Sequence, residues 1–251
     1  MNIVVDDLLT IYHRGGSGKP VVLLHGWGDS AQTFAALQAT LSEDYDTVVL
    51  DLPGFGKTQA PTSTWGLTDY AQFVTKALQK LNISKPYALI GHSNGGAIAI
   101  KGLGQGLLHT DKLVLLSAAG IRSEYRARKK VLRLAAKAAK AATAPLPRRL
   151  RDRLRRRAYR TIGSDLFIAE HLQETFKRIV SDDVQSDARH IAIPTLLIYG
   201  EHDTATPPHY GKLFHQAIPD SQLIILPGAG HAIYQDKPEH VAYLIKEFLG
   251  V

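Results

Sequence analysis

Short runs of consecutive apolar residues, each closing on Gly, Ser or Asp, recur along the chain with helix-period stretches between them. The runs are PVVLLHG (20–26), DTVVLDLPG (46–54), KPYALIGHS (85–93), DKLVLLSAAG (111–120), TLLIYGEHD (195–203) and SQLIILPGAG (221–230). Five or six apolar residues without polar alternation fit strands buried on both faces, as in a parallel sheet. The intervening stretches AQTFAALQATL (31–41), LTDYAQFVTKALQKL (67–81), GGAIAIKGLG (95–104), HYGKLFHQAI (209–218) and EHVAYLIKEFL (239–249) carry helical spacing. Strand–helix alternation predicts an α/β fold: a mostly parallel twisted sheet with helices on both faces. The segment VVDDLLTIYHRG could add one or two antiparallel edge strands.

The alternation breaks once. Residues 121–190 hold no strand-like run, only helical segments rich in Ala, Leu, Lys and Arg. The expected organisation is therefore an α/β core from 1–120 and 191–251, carrying a helical, strongly basic cap or lid at 121–190. The net charge of +7 hides an asymmetry. Arg122 to Arg160 alone carries +14, and the remainder is acidic at −7. Arg126, Lys130, Arg133, Lys137 and Lys140 follow helical spacing and form one stripe. Such a stripe could show a charged face to solvent, contact an anionic membrane surface, or steer an anionic substrate. Nucleic acid is not expected, because no groove-reading motif accompanies the charge.

With no cysteine, a disulfide scaffold, a thiolate metal site and a cysteine nucleophile are excluded. No apolar run approaches the ~18 residues that a membrane-crossing helix needs. The chain opens on MNIVVDDLLT, acidic where a secretion signal is basic, so the cytoplasm is the expected compartment. Charge and spacing leave the oligomeric state unknown.

The chemistry-bearing signal is GHSNG (91–95), which fits G-x-S-x-G where a buried strand meets an Ala/Gly/Ile helix. A tight turn there needs small neighbours, here Gly91, Gly95 and Gly96, and lifts the Ser93 hydroxyl above the sheet. A serine hydroxyl is a poor nucleophile at neutral pH and needs a base oriented by an acid. Downstream, Asp203 lies just past the strand TLLIYG, and His231 sits in the glycine-flanked turn PGAGHA. Ligands bind at the C-terminal rim of such sheets, where strand ends can bring distant residues together. Glu201 is the alternative acid. His92 and His202 flank the candidates but would point elsewhere as bases. The oxyanion of an acyl-transfer intermediate needs pre-aimed N–H donors. The backbone amides of Asn94 and of Trp27 in HGWGDS (25–30) are the candidates, with His25, Gly26 and His92 expected to border the substrate pocket.

HGWG (25–28), DLPGFGKT (51–58), GHSNGG (91–96), GEHD (200–203), PGAGH (227–231) and DKPEHV (236–241) together resemble the α/β-hydrolase superfamily, in its lid-bearing branch of esterases, lipases and C–C-bond hydrolases. The resemblance covers all but about 121–190. It implies a hydrolase acting on carboxylic esters of a small-molecule or lipid-like substrate through Ser93, His231 and Asp203. Two alternatives stand beside it: a C–C hydrolase of an acidic dienone, which a basic cap would suit, and a ligand-binding protein with negligible turnover. Dehalogenases and epoxide hydrolases of the superfamily use an Asp nucleophile, which Ser93 argues against. The GKT of DLPGFGKT is not read as a phosphate loop, because position 51 is Asp and no helix signal follows. No cofactor and no metal are expected.

Overall fold

The computed structural model describes residues 1–122 and 170–251. The basic stripe lies outside the described residues.

Eight strands form one sheet: β1 (Asn2–Val5), β2 (Leu8–Gly15), β3 (Pro20–Leu24), β4 (Asp46–Leu50), β5 (Ala88–His92), β6 (Lys112–Leu116), β7 (Thr195–Gly200) and β8 (Ser221–Leu226). Their spatial order is β1-β2-β4-β3-β5-β6-β7-β8. The N-terminal segment supplies both antiparallel pairings, β1 with β2 and β2 with β4. From β4 onward every neighbouring pair is parallel.

The unbroken apolar runs arise because the sheet is covered on both sides. Along β3, Val22 and Leu24 enter one apolar cluster while Val21 and Leu23 enter the other, and all four are fully buried. Strand β7 divides the same way, Leu197 and Tyr199 against Leu196 and Ile198. Side chains of a strand alternate between faces, so a strand buried on both shows no polar phase.

The first cluster is covered by the helices α2 (Leu67–Lys80) and α3 (Asn94–Gly104), and by a later helix at Pro208–Ala217. The second packs against α1 (Ala35–Leu41) and the closing helix Pro238–Leu249. Helix α2 shows how sequence sets these elements. Leu67, Tyr70, Ala71, Val74 and Leu78 recur on one buried stripe, and the Asp69 carboxylate accepts the Gly66 N–H at 2.7 Å to cap the first turn. Within the region assigned to the insertion, residues 173–179 and 185–188 are helical. Leu172, Ile179 and Val184 from that region join the first apolar cluster rather than forming one of their own.

The consequence for function lies at the carboxyl ends of β3, β5, β7 and β8. Each of these strands gives way to a turn or loop bearing one or more sequence-predicted site residues.

Candidate active site

Ser93 follows β5 directly and precedes α3, with φ 50° and ψ −114°. A non-glycine residue held there costs on the order of 1–3 kcal/mol and persists only where its surroundings fix it. They do so from three sides. Ser93 N–H donates to the Leu116 carbonyl at 3.0 Å, and the Ser93 carbonyl accepts from Ala97 at 3.1 Å and Ala119 at 3.0 Å. The glycines around it are steric requirements. A Cβ on Gly95 would lie 2.1 Å from the Leu24 carbonyl oxygen, on Gly91 2.6 Å from Gly96 Cα, and on Gly96 2.6 Å from Ala118 Cβ.

His231 sits in the turn after β8, and Asp203 in the turn after β7. The imidazole Nδ1–H donates to Asp203 Oδ2 at 2.8 Å, with the Asp203 side chain fully buried and that of His231 one-third exposed. Burial by itself would raise the Asp203 carboxyl. Hydrogen bonding and charge from His231, with further bonds from Thr206, outweigh it and hold the group below the usual carboxylate value. Asp203 Oδ1 accepts the Ala205 and Thr206 N–H groups at 2.8 and 2.9 Å. The Thr206 hydroxyl lies 2.8 Å from Asp203 Oδ2 and 3.1 Å from His231 Nδ1. An acidic group fixed in this way orients the imidazole and leaves its Nε2 for a proton on another group.

Ser93 and His231 line one cavity of about 370 Å³, within the usual range for small-molecule sites. Trp27 and Asn94, whose backbone amides are the oxyanion candidates, line it as well. The Trp27 indole is half-buried and packs edge-on to Phe55 at 4.8 Å and against Phe176 at 5.0 Å, which makes it part of the cavity wall. Asn94 is 4% exposed, and among the described residues neither its carboxamide nitrogen nor its oxygen has a hydrogen-bond partner. Leu67, Ile121 and Ile179 make one wall apolar, and Asp29, Asp182 and Gln235 add polar groups. Among the described residues no Lys or Arg lines this cavity.

Of the three expected pocket residues, Gly26 and His92 line the cavity and His25 does not. His25 is fully buried, and both its ring nitrogens are committed to backbone. Nδ1 donates to the Gly26 carbonyl at 2.8 Å, and Nε2 accepts the Leu52 N–H at 3.0 Å. Burial lowers it to about 4, so the ring stays neutral and ties the loop after β3 to the loop after β4. Glu201, the alternative acid, accepts the Gly228 N–H at 2.9 Å with its side chain half-exposed, while Asp203 takes His231.

Thr206, Asp29 and Tyr234 were not singled out from the sequence. Asp203 closes an Asx-turn on the N–H two residues on, Ala205, which brings the next residue, Thr206, alongside, but that spacing does not say where the Thr206 hydroxyl points. Asp29 lies in HGWGDS and Tyr234 three residues past His231, but spacing alone does not say which way either side chain points.

The model of the alpha/beta hydrolase fold family matches residues 19–238, and the chain belongs to that family. It is 26% identical over 96% of its length to the 2-hydroxy-6-oxo-6-(2'-aminophenyl)hexa-2,4-dienoic acid hydrolase of Metapseudomonas resinovorans, covering 87% of that protein. It is also 26% identical to the pimeloyl-[acyl-carrier protein] methyl ester esterase of Neisseria meningitidis, over 92% of this chain and 93% of that one. A putative lipase from Acinetobacter baumannii superposes with a TM-score of 0.79 at 21% identity, over 99% of this chain and 90% of that one, a likeness of fold.

Proposed function

We propose that the chain is a serine hydrolase of carboxylic esters. Ser93 Oγ attacks the ester carbonyl while His231 Nε2 takes its proton. Asp203 holds the imidazole in the tautomer with Nδ1 protonated and stabilises the imidazolium without itself taking a proton. The Trp27 and Asn94 N–H groups receive the oxyanion. The leaving alcohol departs with the proton from His231, and water activated by the same imidazole then releases the acid.

One observation carries this reading. A serine held at positive φ on a strand-to-helix turn lines the same cavity as a histidine whose Nδ1 is 2.8 Å from a buried carboxylate. The relative from Neisseria meningitidis, named for a methyl ester, is in keeping with it. The relative named for a dienoic acid hydrolase supports the C–C reading. Yet the carboxylates of Asp29 and Asp182 line the described cavity, which suits an uncharged acyl group better than an acidic dienone.

The test is hydrolysis of p-nitrophenyl esters from acetate to palmitate, wild type beside Ser93→Ala. Turnover lost in the variant supports the reading, and the preferred chain length sizes the cavity. A folded wild type inert toward every ester overturns it, with dienone turnover or ligand binding without turnover as what would then be sought.

A further inference from the structure

His92 is the last residue of β5, next to Ser93 in the chain, and is 2% exposed. Its ring lies 4.8 Å from the His231 ring and edge-on to Tyr234 at 5.0 Å. Nε2 is 3.2 Å from the His231 backbone carbonyl, while Nδ1 faces Tyr234 Oη at 3.5 Å and Asp29 Oδ2 at 3.8 Å. Burial, and then the neighbouring His231, bring His92 down to about 3, so it carries one ring proton at ordinary pH. A carbonyl oxygen only accepts, which places that proton on Nε2. His92 therefore donates to the main chain of His231. A neutral ring also presents no positive charge against the imidazolium that His231 would become. The loop after β3 closes on the same ring, since a Cβ on Gly26 would lie 3.0 Å from His92 Nδ1.

We propose that His92 is a positioning residue that sets the approach of His231 to Ser93. Asp203 fixes the rotation of the His231 ring but not the path of the turn that carries it. The bond from His92 fixes that turn to the strand end bearing the nucleophile, so both partners of the proton transfer share one anchor. This inference rests on the serine-hydrolase reading above.

The test uses three variants of the full chain. His92→Phe keeps a ring and removes the donor, His92→Gln places an amide N–H near the former Nε2, and His92→Met matches Gln in shape without the donor. Each is assayed for kcat and KM on the preferred p-nitrophenyl ester and for the rate of Ser93 labelling by a fluorophosphonate. Proton NMR follows the His231 Nδ1–H signal. A displacement of about 1 Å in a reacting group can cost ~10²-fold in rate. The expected result is kcat and labelling reduced roughly 10–100-fold in Phe and Met with KM within about twofold, and at least ~fivefold recovery in Gln over Met. The Nδ1–H signal should persist throughout.

Equal kcat and labelling in Gln and Met overturn the proposal, and that comparison stands even if the Phe variant does not fold. Loss of the Nδ1–H signal in Met alone also overturns it, by placing the damage in the His231–Asp203 pair. A wild type that neither labels nor turns over any ester overturns the hydrolase reading itself, an outcome distinct from an active enzyme indifferent to residue 92.

Discussion

His231 and Asp203, 28 positions apart on turns that follow adjacent parallel strands, meet through a 2.8 Å hydrogen bond at the sheet's carboxyl rim. Replacing Asp203 by Asn keeps the shape but offers Nδ1–H a donor or a neutral oxygen in place of a carboxylate. In a Ser-His-Asp triad, the arrangement proposed above, the change costs about 10⁴-fold in kcat. Steady-state kinetics on the preferred ester should show that loss, with the fold retained by circular dichroism.

Thr206→Val removes a hydroxyl that lies 2.8 Å from Asp203 Oδ2 and leaves the backbone N–H bonds in place. A hydrogen bond to a charged group contributes about 1.5–3 kcal/mol. Urea unfolding should show a loss of that order, and activity should fall by far less than in Asp203→Asn.

Two glycine-to-alanine changes should separate by cause. At Gly95 an added Cβ meets the Leu24 carbonyl oxygen at 2.1 Å, and the main chain must move. Gly106 has φ 68° and no described residue within 4 Å of the added atom, so only backbone strain of about 1–2 kcal/mol applies. Gly95→Ala should abolish activity and cost ~1–3 kcal/mol in urea unfolding, whereas Gly106→Ala should leave activity intact.

Acid should destabilise the protein well before ordinary carboxylates titrate. An unfolded histidine takes up a proton as pH falls through about 6.5, while folded His25 and His92 hold out to about 4 and about 3. In that window the unfolded chain binds more protons, so stability falls with pH, by up to about 1.4 kcal/mol per pH unit for each ring. Asp203, held low when folded, adds stability above the ordinary carboxylate range that disappears as pH falls through its folded value. Melting curves from pH 7 to 4 should show the decline, and His92→Gln should make its slope shallower.

Asn94→Leu removes a buried carboxamide whose two polar atoms have no partner among the described residues. Filling the space with an apolar side chain of similar size should leave the melting temperature unchanged or raise it by ~2–4 °C, the shift that ~1 kcal/mol gives in a domain of this size. A marked drop would mean that the amide does find a partner in the folded protein.

Five strands, β3 to β7, were legible because both faces of the sheet are covered there, which leaves each as an unbroken apolar word such as PVVLL or TLLIY, whereas β8 at the sheet's edge buries only Leu226. Ser93 was legible for a related reason, since small residues at 91, 95 and 96 are what a turn that tight requires. Side chains just past a strand end were harder. His25 and His92 follow the same pattern, a histidine closing a buried strand, yet only His92 lines the cavity while His25 spends both nitrogens on backbone. The loop decides which way each ring turns, and loop geometry depends on contacts with chain far away in sequence. Asp29 and Tyr234 escaped notice for that reason.

The strained turn at Ser93 also orders events in time. Gly95 lies against the Leu24 carbonyl at the end of β3, and the Ser93 N–H is held by Leu116 at the end of β6. The first contact needs β5 beside β3, where Val21 and Ala88 pair across 67 positions of chain, and a pairing of that separation forms late. A chain refolding from urea should regain its helical circular dichroism first and its reactivity toward a serine-directed probe only in the slowest phase. Throughout that interval residue 93 would react as an ordinary serine.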